Sequence, residues 1–432
     1  MTYNSEKSAR YGLNKRARSG NFQFHRLPPK GGSLSYLPIL LDIIYGVLSP
    51  LPFKEAARTS MVSRRWRMLW RCYPKLILTR DTMLHGTITD DHSSTHIVAT
   101  FIRRVNSVLC QLKSGTLKKF VVIFPLLRRD ARHIDRWVSL SATSRARRII
   151  LDLCPETENS MDKNDMYCFP LHLFPSDNCV ESLCLGFVSL TLPPSLSVFT
   201  NLKKLGLHMV PIRGDLQCLL PKCDVLEWLS LTQCSLQDLS ICQPLHRLRY
   251  LRVQHYRLLK LHVQAPNLTE FELTDYPIPI VVGECLNLSK ETIMLLSSSD
   301  CFDYIFAELP STQGFAAGGA RFNNLKHLIL SLDVQGSNDT NNGIICLASL
   351  LQLAPILEEL ELNIIHACTQ LELALYILRS ANALAHLIID PTVKVALVPR
   401  LNRSQQRFID IGRMMAKVWV FKGEYRRIVT IL

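Results

Sequence analysis

From residue 115 onward one spacing of apolar residues keeps returning along the chain. Numbered from its first apolar residue, each unit is apolar at positions 1, 4 and 6: Leu117, Phe120, Val122; Ala146, Ile149, Leu151; Val180, Leu183, Leu185; Leu202, Leu205, Leu207; Leu226, Leu229, Leu231; Leu248, Leu251, Val253; Leu268, Phe271, Leu273; Leu325, Leu328, Leu330; Leu357, Leu360, Leu362; and Leu384, Leu387, Ile389. Between Ala146 and Leu268 successive units start at intervals of 34, 22, 24, 22 and 20. A period of that length predicts a solenoid, with one short parallel strand per coil and neighbouring coils burying each other's apolar side. The interval from Leu268 to Leu325 is too long for one coil, and with the small-residue run Gly314 to Ala320 it predicts an irregular coil and a surface loop.

Upstream the period is helical. Val62, Trp66, Leu69 and Trp70 share one helical face, Arg64, Arg65, Arg67 and Arg71 fill the others, Ser63 stands at the start and Pro74 at the stop. Leu40 to Leu48 and Lys54 to Thr59 read as two more short helices. Three such helices cannot enclose both tryptophans, so some of this apolar surface faces another domain or another protein. Residues 1–33 are polar, basic and without period, which predicts a mobile tail.

Composition sharpens this picture at three points. The 432 residues are 47% hydrophobic and 20% charged, enough for a sizeable core in two or three domains. The net charge of +14 is uneven: residues 1–36 carry +6 and residues 54–80 carry +7, so the remainder sums to only +1 and the positive field is expected in the N-terminal sixth. Fourteen cysteines lie scattered, without a disulfide-scaffold spacing, and the start MTYNSEKSAR has no apolar signal core. That predicts a reducing compartment, nucleus or cytoplasm. The most apolar stretch, Leu37 to Phe53, is cut by Asp42, Pro38, Pro50 and Pro52, and no membrane span is expected.

The segment Leu37-Pro38, Ile43-Ile44, Val47-Leu48-Ser49, Leu51-Pro52-Phe53, then KEAARTS (54–60) and VSRRWRMLW (62–70), resembles the plant F-box. The coils are similar to leucine-rich repeats. Gln370 to Arg379 followed by Ala381, Leu384 and Ile388-Ile389-Asp390-Pro391 resembles the FBD domain that ends many plant F-box proteins. The resemblance implies an α/β fold: a short N-terminal helical F-box (34–80), a connector (81–114), a curved leucine-rich-repeat solenoid (115–365) and an FBD-like α/β cap (366–432), behind the tail of 1–33. It further implies the substrate-recognition subunit of an SCF-type ubiquitin ligase, itself non-catalytic. In that reading Leu37, Pro38, Ile43, Ile44, Leu48, Leu51, Pro52, Val62, Trp66 and Trp70 dock a Skp-type adaptor, and through it a cullin scaffold, while the repeats hold a target protein. Without the resemblance, Trp66 and Trp70 read first as the core of a small three-helix domain packed on the solenoid.

Chemistry of other kinds finds little footing. GFAAGG (314–319) lacks the Gly-x-Gly opening and a following Lys, so it reads as a turn and not a phosphate cradle. His92 and His96 sit in the polar string DDHSSTH, a solvated connector in preference to a metal site. Cys179, Cys184, Cys218 and Cys223 are expected to fill small core sites. No cofactor and no metal are expected. Positions 3, 5 and 7 of each unit alternate with the buried ones and point outward. They carry a graded row of basic, aromatic and acidic groups: Lys204 and His208, Trp228, Tyr250 and Arg252, Glu270 and Glu272. This is the candidate target-binding face. Two rivals remain at this level: a nucleic-acid-binding protein using the basic N-terminal segments, which lack a reader motif, and a repeat scaffold that works without an adaptor.

Overall fold

The computed structural model describes residues 74–84, 94–112, 117–155, 163–175, 178–193, 199–241, 243–255, 258–275, 278, 280–282, 287–295, 324–333, 354, 356–365, 384–389 and 429–431, with Glu55, Arg58 and Met61. The adaptor-docking residues proposed from the sequence (Leu37 through Trp70), the basic tail and the helix of the FBD resemblance lie outside the described residues. The chain divides into two compact units, 1–191 with 197–202, and 192–196 with 203–432.

The first unit contains β1 (Lys75–Thr79), α1 (Arg80–Leu84), α2 (Ser94–Gln111), β2 (Lys119–Ile123), α3 (Ala131–Thr143), β3 (Arg148–Asp152), β4 (Tyr167–Cys168), β5 (Ser182–Gly186) and β6 (Val188–Thr191). Strands β1, β2, β3 and β5 pair in parallel, with Leu76, Phe120, Ile149 and Leu183 in one register row and Leu78, Val122, Leu151 and Leu185 in another. Among the described residues the parallel row therefore already includes a strand at Lys75–Thr79, upstream of the expected start near residue 115, and part of the expected connector is the helix α2. Leu76 and Leu78 already occupy positions 4 and 6, but the helices inserted before Lys119 stretch the coil to about twice the common period and hide it.

Helices fill the return path of these first coils, and aromatic rings lock them to the strands. Phe101 of α2 stacks on Phe124 with centroids 3.8 Å apart and meets Trp137 of α3 edge-on at 6.3 Å. Buried Trp137 donates from Nε1 to Asn106 Oδ1 at 2.9 Å, which meets the need of an indole taken out of water. Further on, Phe174 lies between Phe169 and Phe199. Gly186 is required by close approach: a Cβ there would lie 2.5 Å from Asp152 Oδ1, and Asp152 uses that oxygen to accept the Cys154 N–H.

The second unit continues with β7 (Lys204–His208), β8 (Ile212–Arg213), β9 (Trp228–Thr232), β10 (Asp238–Ile241), β11 (Tyr250–Gln254), β12 (Lys260–Val263), β13 (Glu270–Asp275), β14 (Ile280–Val282), β15 (Lys290–Leu295), β16 (His327–Asp333), β17 (Glu359–Ile365), β18 (His386–Ile389) and β19 (Val429–Ile431). Within it β7, β9, β11, β13, β15, β16, β17, β18 and β19 form one parallel row, and β10, β12 and β14 a second. Leu205, Leu229, Leu251, Phe271, Leu328, Leu360 and Leu387 are all buried at position 4. Each such side chain contributes roughly 1.5–3 kcal/mol by leaving water. Coils turn away from the strand through left-handed residues, Met209 (φ 54) and Gln233 (φ 53), whose N–H groups donate to Thr232 O and Gln254 O of the next coil.

The interval after Leu268 holds more order than the period predicts. Strand β15 pairs Glu270 with Lys290, Leu273 with Ile293 and Thr274 with Met294, so a regular coil starts at Leu288, one ordinary period beyond Leu268. Its position 4 is Glu291, fully buried, where the flanking coils carry Phe271 and Leu328, and that one polar residue broke the pattern. Cysteines divide likewise. Cys184 and Cys223 are buried as expected, whereas Cys179 and Cys218 are partly exposed. At Cys179 the Arg145 guanidinium donates to the sulfur at 3.3 Å from both Nε and Nη2.

Candidate functional site

The outward positions of the second unit form a ladder read across the strands. Register places Lys204, Trp228, Tyr250, Glu270, Lys290, His327, Glu359 and His386 side by side, one per strand. A second line runs through Arg252, Glu272 and Thr292. Neighbouring strands lie about 4.8 Å apart, so flat side chains on adjacent strands stack instead of clashing.

The side chains meet accordingly. Lys204 Nζ lies 3.8 Å from the Trp228 ring centroid, a cation on the negative face of the indole. Trp228 stacks on Tyr250 with centroids 5.1 Å apart and planes 2° from parallel. Arg252 Nε and Glu272 Oε2 form an ion pair at 3.3 Å, joining the strand of Tyr250 to the next. Burial holds the Tyr250 phenol well above its usual range, and the negative charge of Glu272 pushes it further the same way. Lys204, Trp228, Tyr250, Arg252 and Glu272 thus form one half-exposed surface in which a cation–π contact, a ring stack and an ion pair lie side by side.

Of the other residues read from the sequence, Glu270 stands beside Tyr250 in the register and acts on its hydroxyl through charge alone. His208 is half-buried at the end of β7, next to Thr232 and a strand's length from the stacked rings. Ser230 and Thr232, although at outward positions, are buried under the flanking side chains. Further along the row His327 Nδ1 meets Glu359 Oε2 at 3.0 Å, and Lys326 Nζ donates to Glu358 at 2.8 Å. The latter two occupy position 2 of adjacent coils, a complementarity visible in the sequence once the coils are aligned. In the first unit the same outward line is apolar, with Val121, Ile150 and Cys184 buried and Ile77 and Ile123 packed on them.

The arrangement offers ring edges, an ammonium, a paired guanidinium and carboxylates on a fixed backbone. Among the described residues no three His, Cys, Asp or Glu side chains gather to hold a metal ion, and no described helix is long and apolar enough to cross a membrane.

A row of parallel strands, one per coil, with Leu at positions 1, 4 and 6 defines a leucine-rich-repeat fold of the α/β solenoid class. Residues 110–315 match the At1g61320/AtMIF1 LRR domain, and residues 25–77 match the F-box domain. The chain is a plant F-box/leucine-rich-repeat protein. Its relatives in Arabidopsis thaliana include putative F-box protein At3g58860, 29% identical over 60% of this chain and 55% of the relative. F-box protein At5g03100 is 25% identical over 65% of this chain and 82% of its own length. F-box/FBD/LRR-repeat protein At4g26340 is 25% identical over 74% and 75%. The chain spans little more than half of the first of these relatives.

Proposed function

We propose that this chain is the substrate receptor of an SCF-type ubiquitin ligase. Its F-box docks a Skp-type adaptor, and through it a cullin scaffold, by the apolar residues between Leu37 and Trp70, while the repeats hold the target. The observation that carries this reading is the combination, on one chain, of an F-box match with a repeat row that displays the Lys204–Trp228–Tyr250–Arg252–Glu272 surface. Aromatic and arginine side chains fixed in place are the residues that dominate protein interfaces. The work is positional: tethering raises the effective concentration of target lysines near a charged ubiquitin carrier, and no residue of this chain acts as nucleophile or base. The described cysteines are thiols, which suits a reducing nucleus or cytoplasm.

The test is co-purification of the full chain with a Skp-type adaptor. Leu51→Ala with Pro52→Ala is expected to abolish capture while the repeat units keep their melting transition. Capture by the double variant at wild-type strength overturns the reading.

A further inference from the structure

The charge sum over the chain conceals a second basic region, and the structure shows what it builds. Residues 101–150 carry 12 Lys or Arg and only 2 Asp, a net +10 offset by acidic stretches elsewhere. The positive field is therefore not confined to the N-terminal sixth.

Part of this charge rims a groove of about 510 Å³ between α2 and the start of α3. One stripe of α2, at helical spacing, supplies an apolar floor of Val98, Ala99 and Ile102. Arg103 and Arg129 stand on either side and are exposed. Of the segment's two carboxylates Asp130 also lines the groove, leaving two guanidiniums to one carboxylate there, and each carboxylate accepts a hydrogen bond that helps hold the fold. Asp130 Oδ2 accepts the Leu127 N–H at 3.2 Å, and Asp135 Oδ1 accepts the Tyr167 hydroxyl at 2.6 Å. Among the described residues neither Arg103 nor Arg129 has an ion pair. Asn106 ties the walls together: its oxygen takes the Trp137 N–H, and its Nδ2 lies 3.2 Å from His133 Nδ1. With Nδ1 accepting from that amide, the neutral His133 ring carries its proton on Nε2, one more donor at the rim.

We propose that this groove docks an acidic, amphipathic helical segment of another protein, one apolar side chain resting on Val98 and Ile102 and its carboxylates meeting Arg103 and Arg129. Charge complementarity selects a polyanion, and the apolar floor selects a peptide over a nucleic acid, whose phosphates would engage the rim and leave the floor without a partner. Arg–carboxylate pairing is bidentate and directional, so the two arginines also set the orientation of the segment. The site lies wholly in the first unit and is independent of the ladder in the second.

The experiment uses the full chain and a labelled 16-residue probe peptide with Leu at every third or fourth position and Glu between, read by fluorescence anisotropy. Controls are the same peptide with Leu replaced by Ser, and a 20-base-pair DNA duplex. Arg103→Ser with Arg129→Ser is expected to weaken the Leu-containing peptide about tenfold or more, and Val98→Asn about fivefold. Arg103→Lys with Arg129→Lys keeps the charge but loses the bidentate fork, so binding is expected between wild type and the double Ser variant. Equal melting transitions of both variants and wild type separate lost pairing from lost folding. Equal binding of both peptides, or no effect of the double Ser substitution, overturns the proposal. So does duplex binding tighter than that of the Leu-containing peptide and indifferent to Val98→Asn.

Discussion

Trp228 and Tyr250 stand a whole coil apart in sequence and in face-to-face contact in space, so their coupling is measurable as a property of the pair. A double-mutant cycle of Trp228→Ala and Tyr250→Ala is expected to give an interaction of about 0.5–1.5 kcal/mol in thermal or urea unfolding. Tyr250 also makes stability depend on pH. Its folded pKa is raised above the unfolded value of about 10, so its contribution is fully present below pH ~10 and is lost as alkali ionises the unfolded phenol. Tyr250→Phe should flatten the decline of stability above pH ~10, and an unchanged slope would contradict the burial described for the ring. Thiol reactivity separates equally. Burial pushes the Cys223 and Cys234 thiols up to about 12, so iodoacetamide at pH ~8 is expected to label exposed Cys110 and Cys168 readily and those two only on unfolding. The outward placement of Trp228 and Tyr250 was legible from the two-residue alternation of a strand. The Lys204 contact that caps the stack and the Arg252–Glu272 pair beside it were not, because they depend on rotamers and on register between coils.

At the scale of the element, position 4 is where a coil is won or lost. Leu251→Ala removes a fully buried side chain from β11, which is clasped by β9 and β13, and should cost about 2–5 kcal/mol in global unfolding. Gly186→Ala tests the opposite fault. A methyl group 2.5 Å from Asp152 Oδ1 has no room, and a loss of about 1–3 kcal/mol is expected by urea titration, against almost none for a glycine in open space. The period of apolar residues predicted these strands because a coil has little freedom once positions 1, 4 and 6 must share one core. It failed at β1, where inserted helices lengthened the coil, and at β15, where Glu291 sits in the core. In both cases a tertiary arrangement overrides a local pattern. The helix α2 went unread because its apolar stripe belongs to the region taken for a connector.

For the whole molecule, charge is the property that sequence totals misplace. The segment sums are correct, but a remainder of +1 averages a strongly basic helical region against acidic stretches, and only the fold shows Arg103 and Arg129 around one groove. The two recognition surfaces are also expected to respond differently to salt. Binding through the groove should weaken steeply between low and physiological ionic strength, since it rests on exposed charges. Binding through the Trp228–Tyr250 face should change less over the same range, because salt does not screen the stacked rings and weakens only what flanking Lys204, Arg252 and Glu272 contribute. The row of strands has a further consequence for how such a protein acquires new preferences. Neighbours in the ladder come from different turns of the chain, so excising 228–249, one full turn, would bring Tyr250 beside Lys204 and delete a single rung. Ordinary gene slippage at this spacing edits a binding alphabet letter by letter, with the spine that displays it left intact.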